Sequence, residues 1–198
     1  MRRLLIVTAA TLLTTQLAGP ARSASAASDG SSTLTELVAR SGGEFDFNYF
    51  DGDILLNAVL TAGLADALDD ESADLTLFAP NDLAFVLLAR DLGYEGIDEQ
   101  GSWEFLVAAL TDLGGGDPIP VLTDILLYHV APESLTAIDV IFSSSVDTLL
   151  GATFRPFFIF LRDNEPDLRD PALIIPNVAA SNGILHVISR VLIPIDLP

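Results

Sequence analysis

Ala180-Ser181-Asn182-Gly183-Ile184-Leu185-His186-Val187-Ile188-Ser189-Arg190-Val191-Leu192-Ile193-Pro194 is the stretch whose reading decides the fold. Asn-Gly between apolar, β-branched runs is a short-range hairpin signal, because both residues tolerate positive φ. The returning run from Ile184 carries one His and one Arg among Leu, Ile and Val, so it reads as a mostly buried strand. Leu173 to Ala180 is its expected antiparallel partner.

Working outward, the pattern stays β back to Tyr128. His129-Val130, Leu135-Thr136, Val146 to Leu150 and Thr153 to Leu161 are expected strands, with a short helix over Ala137 to Phe142. Alternation along the 153–161 run puts Phe154, Phe158 and Phe160 on one face and Phe157 opposite. The first half reads as helical. Thr33-Leu34-Thr35-Glu36 is a capping box, Asp53 an expected N-cap with Gly63 as the C-cap of its helix or a kink before Leu64, Ala65 and Leu68, and Asn81 the cap of a helix bearing Phe85. Leu75 to Ala79 is a strand stopped by Pro80. Ser102 should cap a helix carrying Trp103, Leu106 and Leu110, broken at Gly114-Gly115-Gly116, and Val121 to Leu127 should form another. Helices first and strands later predict an α+β domain with a mostly antiparallel sheet system.

The 198 residues suffice for one domain with a sizeable core. Residues 1–27 read as a secretory signal: Arg2 and Arg3, then the apolar Leu4 to Leu13, then an A-x-A site at Ala24-Ser25-Ala26. That run is too short and Thr-interrupted to span a membrane, so no stable insertion is expected after its removal. Residues 28–33 are a small, polar leader, and 34–198 form the domain. The expected location is secreted, extracellular or at the cell surface, with the periplasm as the alternative. No cysteine occurs, which excludes disulfides and thiolate sites.

There is no lysine, and the 28 acidic residues all follow the signal. Removing the three arginines of the signal region takes the net charge from −19 to −22. Nucleic acid is excluded as a partner, since binding it requires a basic face that displaces counterions.

Three segments then occur in one order: Leu75-Thr76-Leu77-Phe78-Ala79-Pro80-Asn81-Asp82-Leu83-Ala84-Phe85, Leu126-Leu127-Tyr128-His129-Val130, and residues 180–194. They resemble the first signature box, the Tyr-His motif and the second box of the fasciclin family. Asp53-Ile54-Leu55 with Ala62-Gly63-Leu64 is similar to the family's opening helices. The resemblance spans about 34–194, with Pro80, Asn81, Phe85, Asn182, Gly183 and His186 at signature positions. It implies a wedge of two mainly antiparallel β-sheets with helices packed along it, mostly from the N-terminal half. It also implies a non-catalytic module of cell adhesion or extracellular recognition, its partner a protein or a polysaccharide. Tyr128 and His129 are the interaction residues so implied. The connections over 91–120 and 162–171 are longer than in a minimal family member.

No catalytic residue or cofactor site stands out. His129 and His186 lie in apolar runs without a G-x-S-x-G elbow, and read as buried, backbone-bonded rings. Asp46 to Asp53 fails as an EF-hand loop, because position 5 is Phe50 and position 12 is Asn57. It reads as an acidic turn, so no metal ligand is named. Weak divalent binding is expected at most from Asp66, Asp69, Asp70, Glu71 and Asp74. The alternative function is binding of a small ligand or lipid in an apolar crevice beside the Phe154 to Phe160 face.

A surface this acidic repels itself in dilute buffer and is screened in salt, where the Debye length falls to ~3 Å at ~1 M. The melting temperature should therefore rise between low and near-molar NaCl; a flat response in a salt series would refute a salt-adapted surface.

Overall fold

The computed structural model describes residues 30–197; the signal read over 1–27 lies outside the described residues. The capping box at Thr33 forms, its hydroxyl accepting the Glu36 N–H while Glu36 accepts the Thr33 N–H. It opens helix α1 (Leu34–Ser41). Helices α2 (Asp53–Thr61) and α3 (Ala65–Leu68) are separated by Gly63, whose φ of 67° lets the Leu64 N–H reach back to the Val59 carbonyl. Strand β1 (Leu75–Pro80) leads into α4 (Asp82–Asp91), where the Asn81 side chain accepts the Ala84 N–H at 3.1 Å. Helix α5 (Glu99–Leu113) starts a turn before the expected Ser102, because Asp98 is its cap and accepts the Gly101 N–H.

Helix α6 (Ile119–Tyr128) runs into β2 (Val130–Ala131). Leu135-Thr136 is no strand: Thr136 and Asp139 form a second capping box, which opens α7 (Ala137–Phe142). Strand β3 (Val146–Asp147) is short because the chain turns at Gly151, with φ 85°. The run read as one strand over 153–161 is a hairpin of β4 (Thr153–Phe157) and β5 (Phe160–Arg162). Strands β6 (Leu173–Ala180) and β7 (Gly183–Ile188) close the order. The chain leaves β7 earlier than expected, since the amides of Leu192 and Ile193 bond side chains, those of His129 and Asp163.

The strands form two sheets, ordered β2-β1-β7-β6 and β3-β4-β5. Every pairing is antiparallel except β1 with β7, which run parallel from Leu75↔Gly183 to Pro80↔Ile188. All six residues of β1 are buried, as a strand covered on both faces requires. Leu75, Leu77 and Ala79 join a core with the helices, while Phe78 enters a second core between the sheets with Tyr128, Phe154 and Leu161. There Phe78 and Phe154 meet edge to face at 5.1 Å. Edge strand β6 carries two register shifts, Pro176, and Asn177 at φ 60°, all devices that blunt further strand pairing.

The β6–β7 hairpin forms, but its loop is Ser181-Asn182, with Ala180 paired to Gly183. Asn182 is not at positive φ and is buried instead. Its Oδ1 accepts the Leu34 N–H at 2.9 Å, and its Nδ2 donates to the carbonyls of Leu68 at 2.8 Å and Asp70 at 3.1 Å. Gly183, with φ 151°, lies so close to β1 that a Cβ would stand 2.0 Å from the Leu75 carbonyl oxygen. The Asn-Gly pair is thus a junction of four elements more than a free turn.

Two outcomes follow for chemical denaturation. Asn182→Ala strands buried main-chain groups and should cost about 3 kcal/mol, with Asn182→Asp little better because it cannot donate to Leu68 and Asp70. Gly183→Ala should be at least as damaging, since backbone must move. Wild-type stability in either would show that the junction is slack.

Candidate recognition face

Tyr128 and His129 end α6 inside the protein, 0% and 1% exposed. The Tyr128 hydroxyl donates to the Thr153 carbonyl at 3.0 Å, and its ring meets Phe154 edge-on. His129 donates from Nδ1 to the Ile125 carbonyl at 2.8 Å and accepts the Leu192 N–H at Nε2. Burial holds its pKa down at about 4, against the opposing pull of the Ile125 carbonyl. Expected to touch a partner, this pair has no surface to offer; a contribution to recognition runs through the fold, not through contact.

His186 is likewise buried, accepting the Asn177 N–H at Nδ1 and donating from Nε2 to the Leu135 carbonyl. Both histidines therefore bond main chain at both nitrogens and leave none to move a proton for a nucleophile. Pro80, Asn81 and Phe85 are buried at the β1–α4 joint, and with Asn182, Gly183 and His186 they hold architecture. The turn at Glu165-Pro166-Asp167-Leu168 is also structural: the Glu165 carboxylate is buried and accepts the N–H groups of Asp167 and Leu197.

What the protein does present is the β4–β5 ribbon. Its register pairs Arg155 with Arg162 and Phe157 with Phe160. Side chains alternate across a strand, so these four share one face while Phe154 and Leu161 turn inward to the core. Continuous alternation had grouped Phe158 and Phe160 with Phe154; the turn at Phe158-Ile159 breaks that phase and brings Phe157 beside Phe160. No Gly, Asn or Asp marks the turn, so turn chemistry carried no signal for it. Phe158 takes φ 56° there, a strained value for a bulky residue. Phe157 is 50% exposed and Phe160 45%.

The Arg162 guanidinium lies 4.4 Å from the Phe157 ring centroid and 3.9 Å from Asp170. Beside the ribbon opens a cleft of about 680 Å³, floored by Phe157, Phe160, Leu83 and Leu87 and edged by Arg162, Arg169 and Arg190. Arg190 is paired with Asp91. Four of the six arginines beyond the signal region thus gather on this side of a strongly acidic chain. The register sets Arg155 across from Arg162, a like-charge pairing that Asp170 beside Arg162 offsets.

Titration checks the structural role of His129. An unfolded imidazole binds its proton near pH ~6.5, well above the folded value. Stability from the neutral ring is therefore complete above that pH and is lost as pH falls toward 4. The stability difference between wild type and His129→Gln should shrink by on the order of 2–3 kcal/mol on going from pH ~7 to ~4. A pH-independent difference in urea melts would contradict a buried neutral ring.

Comparison with known proteins agrees with this architecture. The family model of the Fasciclin domain matches residues 51–194. Two Synechocystis sp. proteins are each 32% identical: the uncharacterised sll1735 over 139 residues, 70% of this chain and 86% of its own length, and sll1483 over 171 residues, 85% and 77%. Among solved structures, the FAS1 domain pair of the insect cell adhesion molecule Fasciclin I is similar in fold. The TM-score is 0.56 at 17% identity, over 81% of this chain and 50% of that one, so the chain spans about half the length of that structure. The chain belongs to the fasciclin domain family.

Proposed function

We propose that the protein is a secreted, non-catalytic module of cell adhesion or extracellular recognition, and that its contact surface is the β4–β5 ribbon with its flanking arginines. The observation that carries this reading is the outward face formed by Arg155, Phe157, Phe160 and Arg162. Phe rings supply apolar contact area that needs no reorganisation, and arginine forks bind carboxylates or sulfates in two-point geometry. Aromatic residues and arginine are also the side chains enriched at interface centres. The partner is an extracellular protein or polysaccharide with anionic groups. Export is supported by the signal pattern of residues 1–27, and no helix among the described residues is long and apolar enough to cross a membrane.

The size of the cleft favours a second reading, a small ligand held on the same floor, because ligand sites run ~300–1,000 Å³. Its arginine rim favours an anionic ligand over a neutral lipid. The apolar cavities under α5 and beside α2, about 40 and 30 Å³, are too small for a lipid, while one of about 300 Å³ between α1 and β7, lined by Leu37, Val38, Leu185 and Val187, is at the lower limit of a ligand site.

One comparison tests both. Arg155→Gln/Arg162→Gln and Phe157→Ser/Phe160→Ser change exposed side chains and should fold with near-wild-type circular dichroism. Each should reduce retention on the producing culture's extracellular matrix, at native salinity, by at least about tenfold. Undiminished retention by both folded variants would move the contact surface elsewhere. A small ligand on that floor would be lost with Phe157→Ser/Phe160→Ser as well, so Arg169→Gln on the cleft edge separates the readings: unchanged retention supports the ribbon, and lost retention favours the cleft ligand.

A further inference from the structure

The acidic turn at Asp46 to Asp53 does not stand alone in space. Asp53 begins α2 without capping it; the two oxygens of Asp82, from the start of α4, accept the N–H groups of Asp53 at 3.0 Å and Ile54 at 2.8 Å. Asp53, released from the capping role, turns one oxygen to the Gly43 N–H. Glu99, the first residue of α5, reaches in and accepts the Asp46 N–H at 2.8 Å through Oε2. Asp51 Oδ2 accepts from the Asn48 side chain. Five carboxylates from three separate segments converge, and neither ion pair among the described residues involves any of them.

Their remaining oxygens decide what the cluster is for. Among the described residues, the buried side-chain polar atoms lacking any hydrogen-bond partner are three: Asp51 Oδ1, Asp53 Oδ2 and Glu99 Oε1. All belong to this cluster, and Asp53 and Glu99 are 2% and 1% exposed. Leaving ionised oxygens buried and unpaired is among the costliest things a fold can do. Their spacing is that of a coordination shell. Asp46, Asp51 and Glu99 each place one oxygen within 4.8 Å of the others, and Asp51, Asp53 and Asp82 do the same. Two oxygens on one Ca²⁺, each at ~2.4 Å, lie at most ~4.8 Å apart.

We infer that this cluster is a calcium site, one ion held by the triad of Asp46, Asp51 and Glu99, which the second triad adjoins through Asp51. The donors are all hard oxygens, which excludes the nitrogen and sulfur ligation of zinc. A shell of many protein carboxylates in irregular positions suits Ca²⁺ better than Mg²⁺, which requires near-octahedral geometry and keeps its waters. The bound ion fastens the loop carrying the exposed Phe47 and Phe50 to the first turn of α5. The carboxylates first expected to bind a divalent ion behave differently: Asp69, Asp70 and Asp74 each accept from a separate hydroxyl. With Asp66 and Glu71 they form no group at ligand spacing among the described residues.

Calorimetry of the secreted protein with CaCl2, in ~0.5 M NaCl to screen its diffuse charge, should show saturable binding of one ion per chain. The dissociation constant should fall in roughly the 10⁻⁵–10⁻³ M range of sensor and extracellular sites. Asp51→Asn should weaken binding at least about tenfold, while Glu71→Gln, in the exposed acidic turn, should not. Melting adds a readout that a purely structural carboxylate would not move. In chelator Asp51→Asn should melt above wild type, having lost one repelling charge, and in saturating calcium the order should reverse. Unsaturable uptake, equal affinity in Asp51→Asn and wild type, or the same melting order in both conditions overturns the site. Should Asp51→Asn not fold, Asp46→Asn on the exposed rim replaces it, and wild-type calcium affinity in that variant is equally fatal.

Discussion

Asn182 and Gly183 make the contact on which the remaining structure depends. The Asn182 carboxamide ties the start of α1 to the end of α3, and the Asn182 main-chain carbonyl accepts the Leu75 N–H that begins β1. Gly183 lets β7 approach β1 closely enough to pair in parallel over six residues. Parallel strands cannot be joined by a tight turn, so this pairing closes a loop of more than a hundred residues. Everything between the two strands must fit inside that closure. Helices α1 to α6 supply the core on one face of the sheet, and the three-stranded sheet with α7 covers the other.

Charge is distributed on this frame with a consistent logic. The acidic residues lie mostly on the solvated surface, where they cost little once screened. Two departures stand out against that background: arginines opposed across the β4–β5 ribbon, and carboxylates buried together where α2, α4 and α5 begin. Asp170 already stands beside Arg162, whereas neither ion pair among the described residues reaches the carboxylates. Local conflicts of this kind mark places where a fold answers to something besides its own stability.

Much of the fold was legible because its signals are local. The capping box at Thr33, the Pro80 stop, the Asn81 cap and the Gly63 helix end depend on residues a few positions apart. Misread segments were those in which a partner other than the expected one won. Thr136 took a capping box over a strand, and Asp98 capped α5 a turn ahead of Ser102. Asp53 lost the α2 cap to Asp82, twenty-nine residues away. The hidden turn at Phe158-Ile159 was the most consequential, because losing one alternation reassigns every side chain after it.

By itself the sequence determined the family, the α+β class and the burial of both histidines, because these rest on composition, short motifs and apolar periodicity. Only the tertiary structure decided that Tyr128 and His129 are enclosed, that Phe157 and Phe160 share an exposed face, and that Asp46, Asp51, Asp53, Asp82 and Glu99 meet. The reason is physical. A face or a ligand shell is a relation between elements, set by strand register and helix placement, and no spacing along the chain encodes it directly.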